Sequence, residues 1–121
     1  MKMIIRWFPG GDDSVTLDQI RQIPGVSGLA AMLSDVPVGE VWPLERLQSL
    51  KEEVNSAGLD VEVIESVNIH EDIKKGLPTR DRYIENYIQT IKNLSEIGVK
   101  CLCYNFMPVM DWVRSDLAFP L

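Results

Sequence analysis

Short apolar runs alternate along the chain with segments in which apolar residues recur every three or four positions. The runs are bounded by glycine, proline and polar residues, which is typical of buried strands. They occupy residues 3–7, 28–33, 59–65 and 99–105. Spacings of three and four are typical of one face of a helix. The sequence therefore predicts the order β-α-β-α-β-α-β.

The three predicted helices have recognisable ends. Ser14 or Thr16 can cap the first helix, and Gly58 and Gly98 stand where glycine ends the second and the third. The third helix, 80–97, has the clearest apolar stripe. Its apolar positions are Tyr83, Ile84, Tyr87, Ile88, Ile91 and Leu94. The segment between the third strand and the third helix is predicted to be a loop.

Strands that alternate with helices predict a parallel sheet with right-handed crossovers. One closure is an open doubly wound sheet. The other is a TIM (β/α)₈ barrel, which needs about 250 residues, so four strands and three helices could form only its N-terminal half. Length alone favours the open sheet. The loops favour the barrel, because no glycine-rich phosphate turn follows any predicted strand.

Composition and charge narrow the class of protein. Apolar residues make up 45% of the 121 residues and charged residues 25%, which suits one globular domain, residues 1–121. Twelve basic residues against 18 acidic ones give a net charge of −6, which disfavours sequence-independent nucleic-acid binding. No apolar run approaches the roughly 20 residues that span a bilayer. The start of the chain lacks a signal-peptide pattern, so we expect a cytoplasmic protein without membrane association.

The cysteines and acidic pairs offer little to a metal ion. Cys101 and Cys103 are two residues apart on a predicted strand and are interpreted as small core hydrophobes. With His70 as the one histidine in the sequence, no zinc pattern is complete. Glu52-Glu53 and Glu71-Asp72 are interpreted as solvated faces. The sequence thus predicts no metal site within these residues.

Ligands of parallel α/β folds bind where the strands end, and polar residues concentrate there. Arg6 stands near the end of the first strand, His70 follows the third, and Asn105 ends the fourth. Each also has a structural interpretation. Arg6 could pair with Glu65, His70 could be a surface histidine, and Asn105 could satisfy loop backbone groups.

The run 103–117, CYNFMPVMDWVRSDL, resembles the mannonate dehydratase family. So do residues 3–7, 35–42 and 63–74, in the family's order and spacing. The resemblance implies a (β/α)₈ barrel of the xylose-isomerase-like kind. It implies a lyase that removes water from D-mannonate to give 2-keto-3-deoxy-D-gluconate in hexuronate catabolism, using Mn²⁺ or Fe²⁺.

The resemblance covers only the first four strands of the barrel. It therefore implies a partial barrel truncated after strand four and its loop, with metal ligands and the catalytic base beyond residue 121. Catalytic residues stay unknown, and the chain alone is expected to be inactive. Within the chain, anion-holding and hydroxyl-binding groups are available for substrate. They are Arg6, His70, Asn105 and Arg114.

Half of a barrel leaves its outer strands and inward face uncovered, so a partner is expected. The expected inward residues are Ile4, Val61, Val63, Cys101 and Cys103. Besides a sugar acid substrate, the expected partner is a second copy of the chain or a complementary half-barrel. Two other functions stay open: a non-catalytic half-barrel that binds a partner chain, and another xylose-isomerase-like sugar enzyme.

Overall fold

A computed structural model describes residues 1–11 and 13–110 of the protein. Its strands are β1 (Met3–Trp7), β2 (Val26–Ala31), β3 (Asp60–Ile64) and β4 (Cys101–Leu102). Its helices are α1 (Leu17–Ile20), α2 (Leu44–Ser56), α3 (Glu71–Lys75) and α4 (Arg80–Glu96). The strands form one sheet in the order β1-β2-β3-β4, and each pair of neighbours is parallel.

This strand order decides between the two predicted closures. A doubly wound sheet reverses its order at a switch point, whereas a barrel places each strand beside the next one in the chain. Here β1, β2, β3 and β4 follow one another without reversal. The prediction of four parallel strands with the arrangement of the first half of a TIM barrel is therefore confirmed, and the doubly wound alternative is wrong for these strands.

The helices cover one face of the sheet and form the core there. Leu29, Ala31 and Ile64 of the sheet are fully buried, as are the apolar residues of α2 that were spaced by three and four. The residues that α2 buries are Leu47, Leu50 and Val54. Since α2 also contacts α4 and β3, the two long helices and the sheet share this core. This shared core fixes the strand ends, and so the points from which the following loops start.

The other side of the sheet, the open face, carries one row of paired residues. Arg6 pairs with Ala30, Ala30 with Val63, and Val63 with Cys101. Because side chains alternate along a strand, this row faces away from the buried Leu29 and Ala31. Val63 and Cys101 therefore lie on the inward side of the half-barrel, as predicted.

The prediction that the cysteines are core residues is wrong. Cys101 and Cys103 are free and exposed. The described helices cover only the opposite face of the sheet, so a small apolar residue on the open face stays accessible. Val61 departs from prediction in the opposite direction, since it is 5% exposed and belongs to the covered core. The register shifts between Leu29 and Ala30, which places Val61 and Val63 on opposite faces.

Two helical segments also differ from the prediction. The short helix α3 forms where a loop was expected, and His70 caps its start. On α4, Leu94 is buried, but Ile84, Ile88 and Ile91 remain exposed. The predicted stripe is therefore wider than the face that packs on the core. No helix in the described part of the chain is long and apolar enough to cross a membrane.

Candidate functional site

A cleft opens beside the ends of β3 and β4. Its volume is about 330 Å³, and its walls come from the segment that follows β3 and the segment that follows β4. His70, Glu71 and Lys74 line one side, and Asn105 and Met107 line the other. The cleft lies where parallel α/β folds bind ligands, because loops after neighbouring strands converge there.

His70 is held in one orientation at the start of α3. Its Nδ1 accepts a hydrogen bond from the backbone N–H of Asp72 at 3.1 Å, which is the bond of a helix N-cap. A neutral imidazole that accepts at Nδ1 carries its proton on Nε2. The side chain is 25% exposed, and the N-cap bond holds the ring so that this N–H donor has a fixed direction.

The ring of His70 also stacks on Tyr83, and Gly39 lies against both rings. It stacks on Tyr83 with centroids 3.7 Å apart and planes 13° from parallel. A Cβ atom at Gly39 would lie 2.8 Å from Cδ2 of His70 and 2.7 Å from Cδ1 of Tyr83, so only glycine fits against the pair. The Nδ2 of Asn86 donates to the Gly39 carbonyl at 2.8 Å and holds this backbone in place. His70 is thus a packed residue rather than a loose surface histidine.

Glu71 and Lys74 join α3 to the segment after β4. The Nζ of Lys74 donates to Oε1 of Glu71 and to the carbonyl of Met107, both at 3.0 Å. The other carboxylate oxygen, Oε2 of Glu71, accepts from the backbone N–H of Val109 at 3.1 Å. Lys74, whose side chain is only 8% exposed, lowers the pKa of Glu71 to about 2, and the Val109 N–H contributes to the same shift.

These contacts correct one interpretation of the sequence. Glu71 is no freely solvated acid, because both of its carboxylate oxygens are bound. Lys74 was not predicted at all. The Glu-x-x-Lys spacing of Glu71 and Lys74 was the available signal, since residues three apart lie side by side on a helix. Because a loop was predicted where α3 forms, that spacing did not indicate a contact between the two side chains.

The structure brings together only some of the predicted substrate-binding residues. Asn105, half-buried after β4, lines the same cleft as His70. Arg6 does not line it; this exposed residue lies on the open face, with its guanidinium 4.5 Å from the centre of the Phe8 ring. No ion pair joins Arg6 to Glu65, both of which the structure describes. Arg114 lies outside the described residues.

The described residues do not fit a divalent metal ion. Among residues 1–11 and 13–110, no group of three or more His, Cys, Asp or Glu side chains is arranged to hold one. Cys101 and Cys103 offer two sulfur atoms on the open face. Burial and the neighbouring Cys101 raise the pKa of the Cys103 thiol, which disfavours the thiolate that metals bind.

The chain is similar to known proteins over its whole length. Residues 1–121 match the model of the family described as D-mannonate dehydratase (UxuA). The mannonate dehydratase of Thermotoga neapolitana is 68% identical over 117 residues, which are 97% of this chain and 32% of that protein. That of Lactococcus lactis subsp. cremoris is 60% identical over 121 residues, which are 100% of this chain and 34% of that protein.

A solved structure is also similar to this chain. The crystal structure of mannonate dehydratase from Streptococcus suis serotype 2 superposes with a TM-score of 0.92 at 54% identity. The match covers 100% of this chain and 34% of that one. The chain therefore spans about a third of the length of the proteins that it matches.

Proposed function

Because the chain belongs to the D-mannonate dehydratase (UxuA) family, we propose that it forms part of an enzyme that removes water from D-mannonate. The product is 2-keto-3-deoxy-D-gluconate, and the reaction is that of a carbon–oxygen lyase in hexuronate catabolism. The observation that carries the proposal is the cleft at the strand ends, which His70 and Asn105 share.

The chemistry of the reaction suits the groups that this cleft presents. Removal of a proton next to a carboxylate builds up negative charge, which needs hydrogen-bond donors placed before the reaction begins. The Nε2–H of His70 and the amide of Asn105 are such donors, and both also suit sugar hydroxyls. Arg6 and Arg114 are proposed to hold the carboxylate of the substrate.

Two parts of the machinery are proposed to lie outside the described residues. One is the base that takes the proton together with the acid that protonates the departing hydroxyl. The other is the ligand set of the divalent metal, Mn²⁺ or Fe²⁺, because the described residues do not fit such an ion. The two free thiols, Cys101 and Cys103, support the proposal of a reducing, cytoplasmic location.

The exposed apolar surface favours a second proposal, that the chain binds a complementary half-barrel or a second copy of itself. Ile84, Ile88 and Ile91 form an exposed stripe on α4. The short strand β4 is an unpaired edge of the described sheet. Both features are typical of surfaces that another element covers. A non-catalytic half-barrel with a bound partner would show the same features, so activity must be measured.

A chimera tests the proposed function. In this chimera, residues 1–121 replace the homologous 121 residues of the Lactococcus lactis subsp. cremoris mannonate dehydratase. We expect Mn²⁺-dependent conversion of D-mannonate to the 2-keto acid at a rate within about tenfold of the unmodified enzyme, measured by product formation. The unmodified enzyme is the control. A folded chimera without turnover would contradict the enzymatic function and favour the non-catalytic half-barrel.

A further inference from the structure

One cluster of contacts in the cleft joins two segments that are far apart in sequence. Lys74 binds the carbonyl of Met107, 33 residues away, and Glu71 binds the backbone N–H of Val109, 38 residues away. Lys74 also binds Glu71 directly. We call this cluster, formed by the side chains of Lys74 and Glu71 and the backbone of Met107 and Val109, the α3 latch.

The charged groups of the α3 latch have bonding partners within the latch. The side chain of Lys74 is only 8% exposed, and a largely buried ammonium group is costly without partners. Lys74 has a carboxylate and a carbonyl within 3.0 Å. Glu71 in turn uses one oxygen for Lys74 and the other for Val109. Removing either side chain therefore leaves a buried or partly buried group unsatisfied, which loosens the whole cluster.

Val109, whose N–H donates to Glu71, has an uncommon backbone conformation. Its φ is +71°, in the left-handed region that β-branched residues rarely adopt. Such a conformation persists only where the surroundings hold it. The bond from the Val109 N–H to Glu71 is one such restraint, and it lies four residues after Asn105. The latch therefore acts on the segment that carries the predicted substrate contact of β4.

We propose that Lys74 and Glu71 are positioning residues of the sugar-acid site, which fix the segment after β4 against α3. Asn105 and His70 then face the same cleft at a defined separation. This inference rests on the proposed function of the cleft. Neither Lys74 nor Glu71 has to touch the substrate, since a small displacement of groups that do touch it is enough to lower the rate.

Lys75 provides a matched control for Lys74. Its Nζ lies 3.3 Å from Oε2 of the same Glu71, but the side chain is 43% exposed. The Met107 carbonyl accepts from Lys74 and not from Lys75. Lys75→Met thus removes a positive charge beside Glu71 without removing the bond to the segment after β4.

The test uses steady-state kinetics of the chimera with D-mannonate. We expect Lys74→Met to lower kcat/KM about tenfold and Lys75→Met to change it less than twofold. Combined with Asn105→Ala, Lys74→Met should have no further effect, because a residue that acts through Asn105 has nothing left to position. Glu71→Gln should behave like Lys74→Met, which covers the case in which one variant fails to fold.

The outcomes separate the two proposals. An inactive but folded parent chimera refutes the proposed function. An active parent whose Lys74→Met and Glu71→Gln variants keep the parental kcat/KM refutes the positioning role alone. Equal losses in Lys74→Met and Lys75→Met, or effects of Lys74→Met and Asn105→Ala that multiply independently, also refute it, because they indicate a general effect of charge or stability.

Discussion

The imidazole of His70 lies flat on the ring of Tyr83, 3.7 Å from centroid to centroid. Tyr83 belongs to α4 and His70 to the start of α3, so the stack ties the candidate site to one of the two long helices of the core. The backbone of Gly39 closes on both rings from the loop after β2. The orientation of the imidazole is therefore set by three segments and not by its own segment alone.

Gly39→Ala should lower kcat/KM as well as the stability of the fold. The new Cβ would meet both rings at less than 3 Å, and Gly39 has a φ of +91°. Strain of that kind costs about 1–3 kcal/mol. Gly25→Ala is the matched control, because Gly25 has a φ of +85° and a Cβ added there would have no atom within 4 Å.

Thermal unfolding and kcat/KM of the chimera measure the two effects separately. Both variants should lower the midpoint of unfolding through backbone strain. Only Gly39→Ala should also lower kcat/KM, because only it displaces His70. Equal kinetic effects in the two variants would show that contact with the rings does not matter for the reaction.

Asn105→Ala should lower kcat/KM of the chimera by about 10² or more, since it removes a polar group that the fold places in the cleft. Glu52→Ala, an exposed position on α2, is the control and should change kcat/KM little. Kinetics of Asn105→Ala equal to those of the control would assign Asn105 to the support of loop backbone groups.

Arg6→Ala should also lower kcat/KM by about 10² or more, because a charge on the inward side of a barrel is placed to hold an anion. The structure shows it on the open face, stacked over Phe8. Phe8→Leu is the variant for comparison, since it removes the aromatic ring beside Arg6 and keeps the positive charge of Arg6. Parental kinetics in Arg6→Ala would move this residue to a structural role.

The meeting of His70 and Asn105 was predictable, and the contacts between their segments were not. Parallel strands end at the same edge, so residues after neighbouring strands converge whatever the details of the loops. The bond from Lys74 to Met107 needs more information. It depends on a five-residue helix in a stretch without apolar period, and on the path of a segment 33 residues away.

The prediction of which residues are buried was wrong where burial depends on strand register or on what covers the far side of the sheet. An apolar pattern shows that Cys101 suits a covered face, but not whether the described chain covers it. Val61 was assigned to the wrong face because alternation assumes an unbroken register, and the shift opposite Leu29 and Ala30 breaks it.

Glu71 gives the chimera a stability contribution that depends on pH. Lys74 and the Val109 N–H lower its pKa from 4.5 to about 2 in the folded state. A carboxyl with a lowered pKa stabilises the fold above its unfolded value, and the contribution is lost as pH falls from 4.5 towards 2. Glu71→Gln should therefore show a smaller fall in stability over this window than the parent does.

Denaturant unfolding measures the difference, at several pH values from about 5 down to the lowest at which the parent remains folded. Asp81→Asn is the control, since Asp81 is highly exposed. The same pH profile for Glu71→Gln and the parent would show that the latch does not keep Glu71 ionised in solution.

Two buried hydroxyls near each other on α4 should affect stability differently when they are removed. The hydroxyl of Tyr87 is buried without a hydrogen-bond partner among the described residues. That of Thr90 accepts from the Trp42 N–H at 3.1 Å and donates to the Asn86 carbonyl at 3.0 Å. Tyr87→Phe should leave stability unchanged or raise it by up to about 1 kcal/mol.

Thr90→Val keeps the shape of the side chain but leaves the Trp42 N–H without its acceptor in a buried place, so it should cost about 1–3 kcal/mol. Denaturant unfolding of the two variants of the chimera measures both changes in the free energy of unfolding. A loss in Tyr87→Phe as large as that in Thr90→Val would mean that the Tyr87 hydroxyl is bonded in solution. The pocket beside it, lined in part by His70, Tyr83 and Thr90, has a volume of about 20 Å³ and is large enough for one water molecule to serve as that partner.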